Sequence, residues 1–256
     1  MPRIARRSLL VLIASLFIPV IVYGNRPGSN DSNTIKTSSP LSIPSLAKPV
    51  KAPAYYFSIY YQNDPDHSFE RASRTWVSDT GSVTPSGEII IWLVEPFTTE
   101  SDFKTAWSKI HSTVTQNKGI IGKGQVFSHA SKEPGSRGEE GIECRPVATD
   151  GTITKAEVEA LPRLNWDTSG ELILAGCNTG LKSKRGWSPA ESFANTQKVK
   201  TIGQAGFAFF SEDPSVHKTI SASSVKVYLW AFERRQNVRG WGSDKRMLGI
   251  TYYPFP

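Results

Sequence analysis

Residues Glu88–Glu95 read EIIIWLVE, apolar at every position between two glutamates. The run is rich in β-branched and aromatic residues and is bounded by polar segments, which predicts a strand. A strand wetted on one side would alternate. One that is apolar throughout predicts cover on both faces, as in a parallel sheet packed between helices. The next segment offers such a helix. Thr99 or Ser101 can cap it, Glu100 and Asp102 fall in its first turn, and Phe103, Trp107, Ile110 and Val114 recur at helical spacing. Asn117-Lys118-Gly119 ends it. The expectation is a strand over 88–95 and a helix over 100–116.

The alternation continues. Tyr55–Tyr61 (YYFSIYY) and Gly124–His129 (GQVFSH) read as strands, and Gly141–Val147 as a short one. Thr154-Lys155-Ala156-Glu157 is a capping box opening a short helix with Val158 and Leu161. Glu171–Gly176 is an apolar strand. Ser188-Pro189-Ala190-Glu191 is a second capping box, with proline at the first helical position and a helix running to Lys200. Gly206–Ser211 (GFAFFS), Val225–Phe232 and Met247–Tyr253 read as further strands, whereas Asn63–Gly87 reads as polar and turn-rich, anchored by Phe69 and Trp76. Strand–helix–strand alternation over 88–211 predicts an α/β fold with a mostly parallel sheet and helices on both faces. Strands 88–95, 124–129, 171–176 and 205–211 should share one sheet, the first three mutually parallel.

Hydrophobic residues at 38% and charged residues at 21% of 256 suit one globular core with appendages. Residues 1–24 read as a secretory signal: Arg3, Arg6 and Arg7, then an apolar run from Leu9 to Tyr23, then Gly24. The run is short for a membrane span. No stable span is expected after cleavage, and the expected location is secreted or periplasmic. Residues 25–53, rich in Ser, Pro and Asn, read as a flexible tether, and 54–256 as the folded domain. Thirty Lys and Arg against 23 Asp and Glu give +7, but three of the arginines lie in the signal, leaving +4. The densest basic groups, Lys182–Lys184–Arg185 and Arg234–Arg235, suit solvated faces, so nucleic acid is not an expected partner.

Cys177 stands at the carboxyl end of the 171–176 strand, after the small residues Ala175 and Gly176 and before the turn residues Asn178, Thr179 and Gly180. In open α/β sheets that edge is where ligands bind and chemistry is done. His129 ends an earlier strand, 48 residues before the cysteine. If the two strands are neighbours, both side chains meet at one sheet edge. A thiol needs a base to become a thiolate near neutral pH, and one histidine can both take that proton and return it to a leaving amine. The backbone N–H groups of Ala130 and Cys177 are then placed to hold a developing oxyanion. Two structural readings compete: Cys177 as core packing, and a Cys144–Cys177 disulfide, which an oxidising compartment permits.

VFSHAS, then DGTITKAEVEALPRLNW, then ELILAGCNTG resembles the core of caspase-like (clan CD) cysteine peptidases, and within them the CHAT family. The resemblance covers residues 88–232, and caspases separate their His and Cys by about 50 residues. It implies a three-layer caspase-like fold, a general acid/base at His129 and a nucleophile at Cys177. Ala130 follows the histidine where that family usually has Gly, and Gly176 stands where it usually has Ala. The resemblance also implies that the strand after the cysteine shapes the specificity pocket. Here that strand leads into Glu212 and Asp213, whose carboxylates would favour Lys or Arg; a solvated turn is the plainer reading of both.

The expected function is an exported cysteine endopeptidase acting on a protein or peptide with a Cys–His dyad. The alternative is a non-enzymatic exported module that uses the same fold for binding or assembly. No cofactor or metal is expected. His67 lies beside Asp64 and Asp66, too few ligands for a confident site, and His111 and His217 read as surface or half-buried residues. There is no H-E-x-x-H, G-x-S-x-G or Walker-type loop.

Overall fold

A computed structural model of the protein describes residues 53–131, 141–144, 151–183, 186–232 and 249–255. The signal and, apart from Pro53, the tether lie outside the described residues, as do Val147 and Arg234–Arg235. The elements, in chain order, are β1 (Ala54–Tyr61), α1 (Ser68–Thr80), β2 (Ile90–Phe97), α2 (Glu100–Gln116), β3 (Ile120–Phe127), β4 (His129–Ser131), β5 (Gly141–Glu143) and β6 (Thr152–Ile153). After these come α3 (Lys155–Ala160), β7 (Trp166–Leu174), α4 (Pro189–Gln197), β8 (Lys200–Gly203), β9 (Phe207–Ser211), β10 (Tyr228–Phe232) and β11 (Ile250–Tyr252).

The protein is mixed α/β. Its main sheet has six strands in the order β11-β8-β7-β3-β1-β2. The pairs β1–β2, β1–β3, β3–β7 and β7–β8 are parallel, and β11 joins the edge antiparallel. β1, between β3 and the edge strand β2, is buried along its length: every residue from Tyr55 to Tyr61 is buried. The aromatic rings of β1 need room from β3, and glycine supplies it. A Cβ on Gly124 would lie 2.3 Å from Cζ of Phe57, its cross-strand partner.

Helices cover both faces. Phe57 of β1 meets Trp107 of α2 with ring centroids 5.6 Å apart, while the adjacent Ser58 hydrogen-bonds Ser73 of α1 at 2.7 Å. Successive strand residues point to opposite faces, so α1 and α2 lie on opposite sides. Trp107 also meets Phe193 of α4, 5.3 Å away. α2 forms as the sequence predicts, with a Thr99–Asp102 capping box and Phe103, Trp107, Ile110 and Val114 buried. α3 and α4 begin at the predicted caps, Thr154 and Ser188.

Four features differ from the sequence reading. The EIIIWLVE run is an edge strand, with Ile89 69% exposed and Val94 39% exposed. Its apolar character serves side-on packing, such as that of Trp92 against Tyr56 and Trp76. Residues 207–211 do not join the main sheet; they pair antiparallel with β10 as a separate two-stranded sheet. The strand that follows α4 in the main sheet is β8, because Lys198 turns left-handed (φ 53°) and stops the helix at Gln197. The 63–87 segment carries a 13-residue helix, α1. Among the described residues no helix is long and apolar enough to cross a membrane.

Candidate active site

Three parallel strands bring the site together. β3 and β7 are adjacent, and their carboxyl ends run on into Ser128–His129 and Ala175–Gly176–Cys177. The carboxyl end of β1 runs into the Asp64–His67 loop that leads to α1. Between them is a cavity of about 620 Å³ lined by Asp64, Asp66, Phe69, His129 and Cys177, with β9 and the following loop as its far wall. The volume lies within the range of small-molecule and peptide side-chain sites.

The turn that carries Cys177 is fastened from three sides. Thr179 is buried; its hydroxyl lies 3.0 Å from the carbonyls of Leu174 and Gly176 and accepts from the Gln204 N–H at 3.0 Å. The Asn178 N–H donates to the Gly206 carbonyl, and the Ala190 N–H at the start of α4 donates to the Thr179 carbonyl. Asn178 adopts φ 57°, a left-handed conformation that asparagine tolerates better than most residues. Gly180 is required by a close approach: a Cβ there would lie 2.6 Å from the Gly203 carbonyl oxygen. The Cys-x-Thr-Gly pattern is thus a set of backbone ties holding the thiol at the sheet edge.

Cys177 is half-buried and its sulfur accepts a hydrogen bond from the Ala208 N–H at 3.3 Å. A backbone donor aimed at sulfur stabilises negative charge on it. Cys144 is buried just past β5 and is not joined to Cys177, so the competing disulfide reading is not met. His129 starts β4 instead of ending β3 and pairs with Glu143 of β5. Its ring packs edge-on against Phe69 of α1, 4.8 Å away, and lies 5.8 Å from the ring of Tyr61. Its Nε2 is 3.9 Å from Oδ1 of Asp64. The other oxygen of Asp64 accepts from the Ser68 N–H at 2.8 Å and from the Ser68 hydroxyl.

Gly176 leaves room for Ala130. A Cβ built on Gly176 would lie 3.0 Å from the Ala130 methyl and 3.1 Å from the Ser128 carbonyl oxygen. Glu212 and Asp213 do not line the cavity. Asp213 builds a turn: Oδ1 accepts from the Ser215 hydroxyl and N–H at 2.6 and 2.7 Å and from the Val216 N–H at 3.2 Å. The Ser215 hydroxyl first, then these N–H groups, hold its carboxyl down at about 2. Glu212 is exposed and accepts from the Ser224 hydroxyl at 2.9 Å.

His217 lines the cavity, with its ring 6.2 Å from that of Trp230, although the sequence reads as a surface loop. His67 instead points to solvent at the start of α1, and among the described residues no cluster of three or more His, Cys, Asp or Glu could hold a metal. Asp64, Asp66, Phe69 and His217 are among the cavity residues that the sequence does not assign to the site. For Asp64 and Phe69 a signal existed: Phe69, Ala72 and Trp76 keep helical spacing after Asp64-Pro65-Asp66, with Gly81 beyond. No family model matches the chain, and neither does any curated protein or solved structure.

Proposed function

We propose that the protein is an exported cysteine endopeptidase of caspase-like type, with a three-layer fold, Cys177 as nucleophile and His129 as general acid/base. The observation that carries this reading is the sharing of one cavity by Cys177 and His129, delivered by adjacent parallel strands. Export rests on the 1–24 signal pattern. The sulfur, deprotonated by His129, attacks the scissile carbonyl carbon, and the tetrahedral oxyanion is held by backbone N–H groups in the Ala130 and Cys177 segments. The C–N bond breaks as His129 returns the proton to the leaving amine, leaving a thioester. Water, with its proton taken by His129, then hydrolyses the thioester and restores the thiol.

Among the described residues the carboxylates in this cavity are Asp64 and Asp66, no Lys or Arg is in its lining, and Phe69, Phe209 and Phe210 add aromatic faces. A basic side chain suits such a pocket, its stem against the rings and its charge at a carboxylate. Asp66, at the exposed rim, takes the role that the sequence reading gave to Asp213.

The test is labelling with a thiol-reactive peptide carrying Lys or Arg next to the reactive group. Labelling should occur at Cys177, vanish in Cys177→Ala and slow at least tenfold in His129→Ala. Asp66→Ala should lower labelling by basic peptides while sparing a small uncharged reagent. A folded wild type that takes up the small reagent but neither labels with nor cleaves any peptide would favour the alternative, a binding or assembly module.

A further inference from the structure

We infer that Asp64 is a positioning residue for His129, so that the site works as a Cys177–His129–Asp64 relay; the inference rests on the peptidase reading above. The carboxylate and the ring come from different strand ends, yet Asp64 Oδ1 lies 3.9 Å from His129 Nε2. Both side chains are largely withdrawn from water, at 11% and 31% exposure. Asp64 is not a mobile surface acid that happens to be near. Its Oδ2 is fixed by the Ser68 N–H and hydroxyl at the first turn of α1, and that anchoring aims Oδ1 at the imidazole. Phe69, the next residue, holds the ring edge-on at 4.8 Å. The first turn of α1 thus anchors the charge and supplies the wall that set the histidine's orientation.

A carboxylate on one ring nitrogen fixes the tautomer, leaving Nδ1 for the proton exchanged with sulfur. It also stabilises the imidazolium formed when the Sγ–H bond breaks and the electron pair stays on sulfur. Distances of this size tighten by a small rotation when substrate excludes water, as is common for catalytic hydrogen bonds in the unliganded state. Among the described residues, the ionisable groups around His129 include Asp66, Cys177 and His217 in the cavity, Tyr61 on β1 and Glu143 opposite it on β5. Of these only Glu143 is a second buried carboxylate, 9% exposed, so it is the control.

The experiment follows the His129 ring through a pH titration by NMR in the full chain, with the resonance assigned from His129→Gln. In Asp64→Asn the midpoint should move down while that of His217 stays. Alkylation of Cys177 by iodoacetamide at pH 6 should become roughly three- to tenfold slower, because less imidazolium is present to hold a thiolate. Asp64→Glu, which keeps the charge, should recover most of both. If Asp64→Asn fails to fold, Asp64→Ser keeps an acceptor for the Ser68 N–H and serves as the neutral variant. A His129 midpoint unmoved in the folded neutral variant overturns the proposal, as does a larger shift in Glu143→Gln than at Asp64. A shifted midpoint and slowed alkylation in a protein that cleaves no peptide would uphold the Asp64–His129 coupling and remove the peptidase reading alone.

Discussion

The two long helices that flank β1 are held by different chemistry. α2 buries Phe103, Trp107, Ile110 and Val114 on one side of the sheet. α1, on the other side, buries Ser68, Ser73 and Thr75 beside Phe69 and Ala72. Ser73 bonds Ser58 of β1, Thr75 accepts from the Val227 N–H at 3.0 Å, and Arg71 donates to the carbonyls of Ser221 and Ser224 at 2.8 and 2.6 Å. α1 is therefore fixed between the main sheet and the β9–β10 segment by hydrogen bonds as much as by apolar contact. Its first turn faces the cavity. The difference teaches that one side of the sheet supplies non-directional stability while the other supplies directed bonds, which hold a side chain at a defined position and angle.

The largest effect expected from this contrast is at Trp107, which is fully buried, packs against Phe57, Phe103 and Phe193, and donates from Nε1 to the Pro162 carbonyl at 2.9 Å. Trp107→Ala should cost about 3–5 kcal/mol in urea denaturation. Alkylation of Cys177 in the remaining folded fraction should hardly change; a selective loss of Cys177 reactivity would mean that α2 also shapes the site.

Removing one partner of the buried Ser58–Ser73 pair leaves the other without its hydroxyl. Ser73→Ala should cost about 1–3 kcal/mol, and adding Ser58→Ala should cost little more. Strict additivity of the two in a double-mutant cycle would show that the bond is not what holds α1. In the buried turn before Cys177, Gly176→Ala should cost about 1–3 kcal/mol through overpacking. Ala130→Gly in the same chain should return part of that, because the Ser128 carbonyl and Thr179 remain in contact. No recovery would mean the backbone contacts alone forbid the methyl.

The smallest effect concerns the Lys104 bridge between α2 and the cap of α3, where Nζ bonds Glu157 at 2.7 Å and also Glu100. Burial would raise the Glu157 carboxyl, but hydrogen bonds from Lys104 and from the Thr154 N–H and hydroxyl outweigh it and bring it to about 2. A carboxyl lowered on folding contributes stability that is present above its ordinary pKa of 4.5 and is lost as pH falls towards 2. Because Lys104 is 40% exposed, the contribution should stay below about 1 kcal/mol. Glu157→Gln should flatten the pH dependence of the melting temperature between 5 and 2 by that amount; an unchanged slope would assign the acid sensitivity elsewhere.

The sequence by itself determined the α/β class, the parallel direction of the strands that form β2, β3 and β7, and three of the four described helices with their caps. Periodic apolar residues and capping pairs are local patterns, and they form the same structure wherever the segment ends up. It also placed His129 and Cys177 at the carboxyl edge of a parallel sheet, but left open whether their strands are neighbours, which the β3–β7 pairing decided. Only the tertiary structure decided that EIIIWLVE lies at an edge, because burial on two faces and side-on packing at an edge ask for the same residues. It alone removed GFAFFS from the main sheet, where Lys200–Gly203 (KTIG) pairs instead, since strand partners are chosen by long-range fit. It alone brought Asp64 to His129 across 65 residues and turned Asp213 inward on its own loop. A carboxylate's partner depends on which strand ends meet in space, and no local spacing records that.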